Sequence, residues 1–305
     1  MSDLVIPKIN YDTRLQASPN VFREHFGAAS IEDWRNIWLS TEKDNHVGGL
    51  QFPTIPDQEL QLRIHGSHSF STSMNEAFAF YEYVGRHIDL RNSLGKRFLD
   101  FGCGWGRMSR PFMRDFYLRD MYGFEPDLLF CTIARSLNPY ICFMTGDFLP
   151  DGTLPGDRFD VMVGWSIYSH LSELSLKAWL TETARVLREN GTAVFTTWGR
   201  RFLERLLREQ LELNAGKKIH WYSELCLSAA GTIQERIEEY DSGQFVWFTN
   251  GASKLYGEAF LSRTVLSRMI DILRLPLSIV EYDDQVLAQD VFIIRKVQIK
   301  STLNC

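Results

Sequence analysis

The chain has 305 residues and only five cysteines, and no two of them are spaced as C-x-x-C. That scarcity argues against a zinc site or a disulfide frame. Cys103, Cys131, Cys142, Cys226 and Cys305 lie scattered, as in a protein kept reduced. Long hydrophobic runs are also missing, so no membrane span is expected. The opening MSDLVIPKIN lacks the basic-then-apolar order of a leader, and a cytoplasmic location is expected. There is no basic excess: 33 Lys and Arg stand against 38 Asp and Glu, a formal net charge of −5. Bulk electrostatic attraction to nucleic acid or anionic lipid is thereby excluded. What is present is ordinary for a globular protein, with 45% hydrophobic and 23% charged residues, in a chain long enough to bury a large core.

One segment stands apart. Residues 97–107 read RFLDFGCGWGR. Phe98, Leu99 and Phe101 suit a buried strand, and Gly102, Gly104 and Gly106 form a G-x-G-x-G turn. A helix is expected over about 106–117. Glycine lets backbone approach a ligand closely and tolerates positive φ, while a following helix would direct free N–H groups and its positive end to the same point. The rival is a dinucleotide fingerprint, G-x-G-x-x-G, whose third glycine falls where Arg107 stands. The flanks decide. Glu125, in MYGFEPD, lies about twenty residues beyond the turn, where an acid grips ribose hydroxyls. Asp147, in TGDF, sits beside Phe148, an acceptor for an amino group next to an aromatic face.

Strands near 97–101, 120–124, 141–145, 159–165 and 192–197 alternate with helices near 127–136 and 174–188, which predicts a doubly wound parallel sheet. In the 174–188 helix, Leu176, Trp179, Leu180, Thr183, Val186 and Leu187 form the buried stripe, and Gly191 is expected to close it. Upstream, the chain before residue 73 reads as irregular around Pro53 and Pro56. A helix over Ser73 to about His87 follows, with Ser73 and Glu76 at capping-box spacing. Residues 200–257 interrupt the alternation with an amphipathic helix, RRFLERLLREQLEL, and an aromatic-rich stretch. Its Trp221, Tyr222, Phe245, Trp247 and Phe248 suit either an acceptor pocket wall or a small core of their own. A helix over 261–273 and the strands LSIVEYD and QDVFIIRK finish the sheet.

Taken in order, LDFGCGWGR, FEPD, GDF, FDVMVGWSIYSHL and VLRENGTAVFTTWG resemble the successive motifs of the class I S-adenosylmethionine-dependent methyltransferases across residues 96–298. Glu189 and Asn190 replace the Pro-Gly usual in the family's helix-to-strand turn. The resemblance implies a mostly parallel, seven-stranded, Rossmann-like α/β sheet whose last strand is antiparallel. It implies an N-terminal extension, 1–95, with a helix over the cofactor, a methyltransferase domain, 96–298, with a lid insertion at 200–257, and a tail, 299–305. The cofactor would be S-adenosyl-L-methionine, contacted by Asp100, Gly102, Cys103, Gly104, Glu125, Pro126, Asp147, Phe148 and Trp165. Arg63 and His65 are further candidates toward its carboxylate or the acceptor.

Methyl transfer is an in-line displacement for which a protein supplies position and a dry site. A hydroxyl acceptor also needs a general base. His170, after the fourth strand, is the first candidate, Asp290 the second and His220 the third; a packed histidine bonded to a carbonyl is the competing role for His170. No two acids plus an amide are grouped as in magnesium-dependent hydroxyl methyltransferases, so no metal is expected. The Asn/Asp-Pro-Pro-aromatic motif of DNA-base amino methyltransferases is missing, since 164–168 reads GWSIY. SIYSHL, FTTWG, YGEAFLS and QDVFIIRK resemble bacterial enzymes found with glycan and surface-polysaccharide enzymes, although Trp198 stands where those tend to have histidine. The expected activity is O-methylation of a sugar, glycan or other small hydroxylated metabolite. A specialised metabolite, a protein side chain and a non-catalytic cofactor-binding role remain open, as does the oligomeric state.

Overall fold

The computed structural model describes residues 20–65, 69–249, 251 and 253–298, and among 63–65 the backbone alone. Arg63 and His65, as side chains, and the 299–305 tail therefore lie outside the described residues. The described chain divides into two compact units, up to Asp147 and from Phe148.

In the first unit the extension is more ordered than its prolines suggest. It holds helices α1 (Val21–Phe26) and α2 (Ile31–Ser40), a hairpin of β1 (His46–Val47) and β2 (Leu50–Gln51), and helices α3 (Gln58–His65) and α4 (Phe70–His87). Ser30 caps α2 by accepting from the Asp33 N–H. Trp34 and Trp38, one turn apart on α2, are fully buried with Phe22 and Phe52. Helix α4 starts three residues before the expected capping box. Ser69 is the N-cap, and Ser73 lies inside the helix, its hydroxyl donating to the Phe70 carbonyl.

Strands β3 (Phe98–Phe101), β4 (Met121–Phe124) and β5 (Cys142–Met144) are parallel, with α5 (Leu128–Leu137) between the last two. The α-helix expected over 106–117 is not formed. Turns run from Gly104 to Arg110, followed by a four-residue 3-10 helix, Pro111–Arg114. Pro111 has no N–H to return to the Arg107 carbonyl. Carbonyls of the segment are instead satisfied by the extension: Trp34 Nε1 donates to Pro111 O and Asn20 Nδ2 to Met113 O.

The second unit contributes β6 (Phe159–Gly164), α6 (Glu173–Val186) and β7 (Leu187–Thr197). Every residue of the expected α6 stripe is buried. Gly191 does not end the helix, which stops at Val186 and passes directly into β7. Phe159 faces Leu187 while Val161 faces Thr192, so residues 188–191 bulge from the ladder, with Asn190 at φ 62°. Helices α7 (Arg200–Asn214), α8 (Trp221–Ala230) and α9 (Ile233–Asp241) and the hairpin β8 (Val246–Phe248)–β9 (Glu258–Phe260) follow. They share a core of Phe202, Leu203, Leu206, Cys226, Ile233, Ile237 and Phe248. Phe248 is thus a core residue and Tyr222 packs at its margin, whereas Trp221 is 54% exposed. Helix α10 (Arg263–Ile272) and strands β10 (Leu277–Asp283) and β11 (Asp290–Lys296) complete the chain.

Seven strands form one sheet in the order β10-β11-β7-β6-β3-β4-β5. β11 runs antiparallel to both neighbours, with Asp290 opposite Thr197, as the resemblance implied. Among the described residues no helix is long and apolar enough to cross a membrane.

Candidate functional site

The glycine turn leaves β3 with Gly102 at φ 67°, Gly104 at 54° and Gly106 at 82°, a left-handed path that favours glycine at all three positions. Gly102 and Cys103 donate to the Phe124 carbonyl at 2.8 and 3.0 Å, pinning the turn to the end of β4. Glu125 then braces it: Oε2 accepts from Gly104 N at 2.8 Å and Oε1 from Asp127 N at 3.1 Å. Burial pushes the Glu125 carboxyl up, opposed by those two N–H donors. Each carboxylate oxygen keeps a second acceptor position. Pro126 separates Glu125 from Asp127, the N-cap of α5.

Asp100 lies beneath the turn, 1% exposed, accepting from Ser109 Oγ at 2.6 Å. Burial raises its carboxyl to about 7, against the pull of Ser109 and Arg107. Arg110 lies 4.5 Å from the ring centre of Trp105 and 5.6 Å from that of Trp38, and it donates to the carbonyls of Pro53 and Thr54. The extension thereby clamps the turn from outside. Asp147 and Phe148 follow β5 and are both exposed.

In the second unit, Trp165 is buried at the end of β6 and Ser166 takes φ 57°, an uncommon conformation for a residue with a Cβ. Four contacts hold Ser166 there. Its N–H donates to Thr196 Oγ1 at 2.7 Å, and its hydroxyl meets Gln289 Nε2 at 2.8 Å, Ser169 Oγ at 3.2 Å and His170 Nε2 at 3.5 Å. His170 Nδ1 lies 2.9 Å from the Gly257 carbonyl and 3.6 Å from Glu258 Oε2. The ring stacks on Tyr256, with centroids 4.8 Å apart. Glu258 Oε2 also accepts from Tyr222 Oη at 2.7 Å and Trp198 Nε1 at 2.9 Å. Burial raises the Glu258 carboxyl, while His170, Tyr222 and Trp198 draw it back. Trp198, at the position where the resembled enzymes tend to have histidine, thus keeps a ring N–H donor.

The other two base candidates are engaged elsewhere. Asp290 is 2% exposed, accepts from Tyr282 Oη at 2.7 Å and lies 3.6 Å from Arg201. A Cβ on Gly199 would lie 1.7 Å from its Oδ2, so the carboxylate packs on the N-cap of α7, where a helix favours an anion. Burial raises it to about 6. His220 is exposed and caps α8 by accepting from Tyr222 N. Sequence reasoning missed Glu258 and Ser166 as partners of His170, with Tyr222 bonded to Glu258 and Gln289 to Ser166. The signal available was YGEAFLS, whose acid falls directly after a glycine.

The sheet order, with its antiparallel β11 and a glycine turn after β3, defines a class I methyltransferase fold. A family model described as a methyltransferase domain matches residues 76–231, half of the chain. The chain belongs to that family and is an S-adenosylmethionine-dependent methyltransferase. Among solved structures, protein PH0226 from Pyrococcus horikoshii OT3 is similar at 15% identity and a TM-score of 0.52, over 77% of this chain and 93% of that one. The magnesium protoporphyrin IX methyltransferase ChlM of Synechocystis PCC 6803, solved with bound SAH, is 12% identical over 78% of this chain and 93% of its own, with a TM-score of 0.48. No curated relative matches the sequence.

Proposed function

We propose that the chain methylates a hydroxyl of a sugar, glycan or other small hydroxylated metabolite, in the cytoplasm and within surface-polysaccharide synthesis, with His170 as general base. The observation that carries the base is the Gly257 carbonyl. The same bond would hold a packed histidine; it supports the base because a carbonyl only accepts, so at 2.9 Å it receives the hydrogen bond of Nδ1–H and leaves Nε2 of the neutral ring with a lone pair.

The cofactor cradle fits this role. Three glycines at positive φ present backbone without Cβ atoms, and Glu125 keeps acceptor positions for the ribose hydroxyls. Asp100, Cys103 and Pro126 fix the turn around that site. Asp147 would accept from the adenine amino group, with Phe148 and Trp165 as apolar walls. When bound, S-adenosylmethionine supplies an electrophilic methyl group on a sulfonium whose sulfur departs as a neutral thioether. His170 Nε2 takes the proton of the acceptor hydroxyl as its oxygen gains the methyl carbon. Residues 200–257 form the lid over the acceptor. Asp290 serves α7 rather than the reaction.

His170→Ala is expected to lower transfer of labelled methyl into a host-cell extract by about 10²–10⁴-fold, with cofactor affinity by calorimetry unchanged. Wild-type transfer should fall in acid, because an imidazolium accepts no proton. A stable His170→Ala protein with full transfer would remove the base.

A further inference from the structure

We propose that Glu258 is the positioning residue for His170, a carboxylate that fixes the ring's proton on Nδ1 and faces the positive charge that proton abstraction creates. The inference rests on His170 being the base.

The strap that carries Glu258 is built onto the His170 segment. Gly257 N donates to His170 O at 2.8 Å and Ala259 N to Ser169 O at 2.7 Å, so residues 257–259 run locked beside 169–170. On its other side Gly257 lets the strap lie close to β8, since a Cβ there would lie 2.4 Å from the Phe248 carbonyl. Two acceptors, Gly257 O and Glu258 Oε2, therefore meet the same ring nitrogen, and Tyr256 covers one ring face. The opposite nitrogen, Nε2, is directed to Ser166 Oγ.

Glu258 is held as deliberately as the histidine. Its Oε2 takes the Tyr222 hydroxyl and the Trp198 indole N–H, both neutral donors, and its side chain is 15% exposed. Neutral donors orient a carboxylate without cancelling its charge, so the charge remains available to a cation. His170 is the only basic group within ion-pair distance of it among the described residues. The other titratable groups around the pair are Tyr222, Tyr256 and Cys226. Burial and the Glu258 charge push the Tyr222 hydroxyl up, and push the Cys226 thiol up to about 12, so both stay neutral. Tyr222 stands on α8 and Trp198 precedes α7, which makes the 200–257 insertion part of the support for the base.

In the step itself, the acceptor O–H bond breaks and its proton goes to Nε2. The oxygen's electron pair forms the bond to the methyl carbon, and the old carbon–sulfur pair stays on sulfur. The imidazolium left behind, protonated on both nitrogens, lies against Glu258 until it releases a proton to water. An opposite charge at this range favours the charged form of its partner.

The test uses the full chain, labelled S-adenosylmethionine and host-cell extract as acceptor, with folding checked by circular dichroism. Glu258→Gln should lower transfer about tenfold or more, less than the roughly 10⁴-fold seen where a carboxylate is the sole orienter of a histidine, because Gly257 O still holds Nδ1. The acid limb of its pH–rate profile should move to lower pH, since the lost charge no longer favours the imidazolium. Glu258→Asp should restore that limb, and it keeps the test alive if the glutamine variant does not fold. Adding Glu258→Gln to His170→Ala should cost nothing further. Full transfer by His170→Ala would overturn the base and this inference together. Loss of transfer by His170→Ala, with wild-type rate and acid limb in Glu258→Gln, would overturn this inference alone and leave the base standing.

Discussion

Glu125 is a buried acid and Glu258 a half-buried one, and their partners separate their roles. Glu125 takes one backbone N–H on each oxygen and braces a turn; Glu258 is held by side chains and faces a histidine. Glu125→Ala is accordingly expected to weaken S-adenosylmethionine binding by about 1–3 kcal/mol, through lost ribose contacts and a loosened Gly104; titration calorimetry reads it, and unchanged affinity would place the ribose contact elsewhere. At this scale the sequence was partly legible. Glu125 and the glycines follow from local spacing, because the turn and the acid are products of adjacent strand ends. Glu258 does not, since nearly ninety residues of chain separate it from His170 and no local pattern records the strap that joins them. The contacts of Asp290 with Tyr282, Arg201 and Gly199 are likewise tertiary, and its place at the start of a strand does not record them.

Among the elements, periodicity found the strands and the buried stripe of α6, whose partners are set by the helix period itself. It failed where tertiary bonds replace local ones. The 106–117 segment has helix-compatible residues, yet its carbonyls are taken by Trp34 and Asn20, and Pro111 withholds a donor. Helix α2 carries a local signal in Ser30, three residues before Asp33, and in the Trp34–Trp38 spacing. The consequence is that the cofactor turn has no α-helix behind it and depends on its own backbone and on the extension. Gly104→Val, at φ 54°, is therefore expected to abolish cofactor binding while circular dichroism stays close to wild type. Normal binding by that variant would show that this turn is not the cradle.

For the whole molecule, the buried acids set the pH dependence of stability. Asp100 is raised to about 7, Asp115 and Asp290 to about 6, each by burial first. The folded state therefore holds protons that the unfolded chain releases near its ordinary carboxylate value. Their stabilising contribution is complete below about pH 4 and is lost as pH rises through about 6 to 7. Melting temperatures of Asp290→Asn and Asp100→Asn should gain on the wild type as pH is raised from about 4 to 7, and a difference that stays flat or narrows would contradict this. The account as a whole turns on the atom that receives the methyl group. Carbon-13-labelled methyl from S-adenosylmethionine, followed by nuclear magnetic resonance of the small-molecule products of a host-cell extract, reads that atom directly. The expected result is an O-methyl signal on a hydroxylated acceptor, present with the wild type and lost with His170→Ala. A methyl on nitrogen, or an O-methyl signal undiminished in His170→Ala, would contradict it.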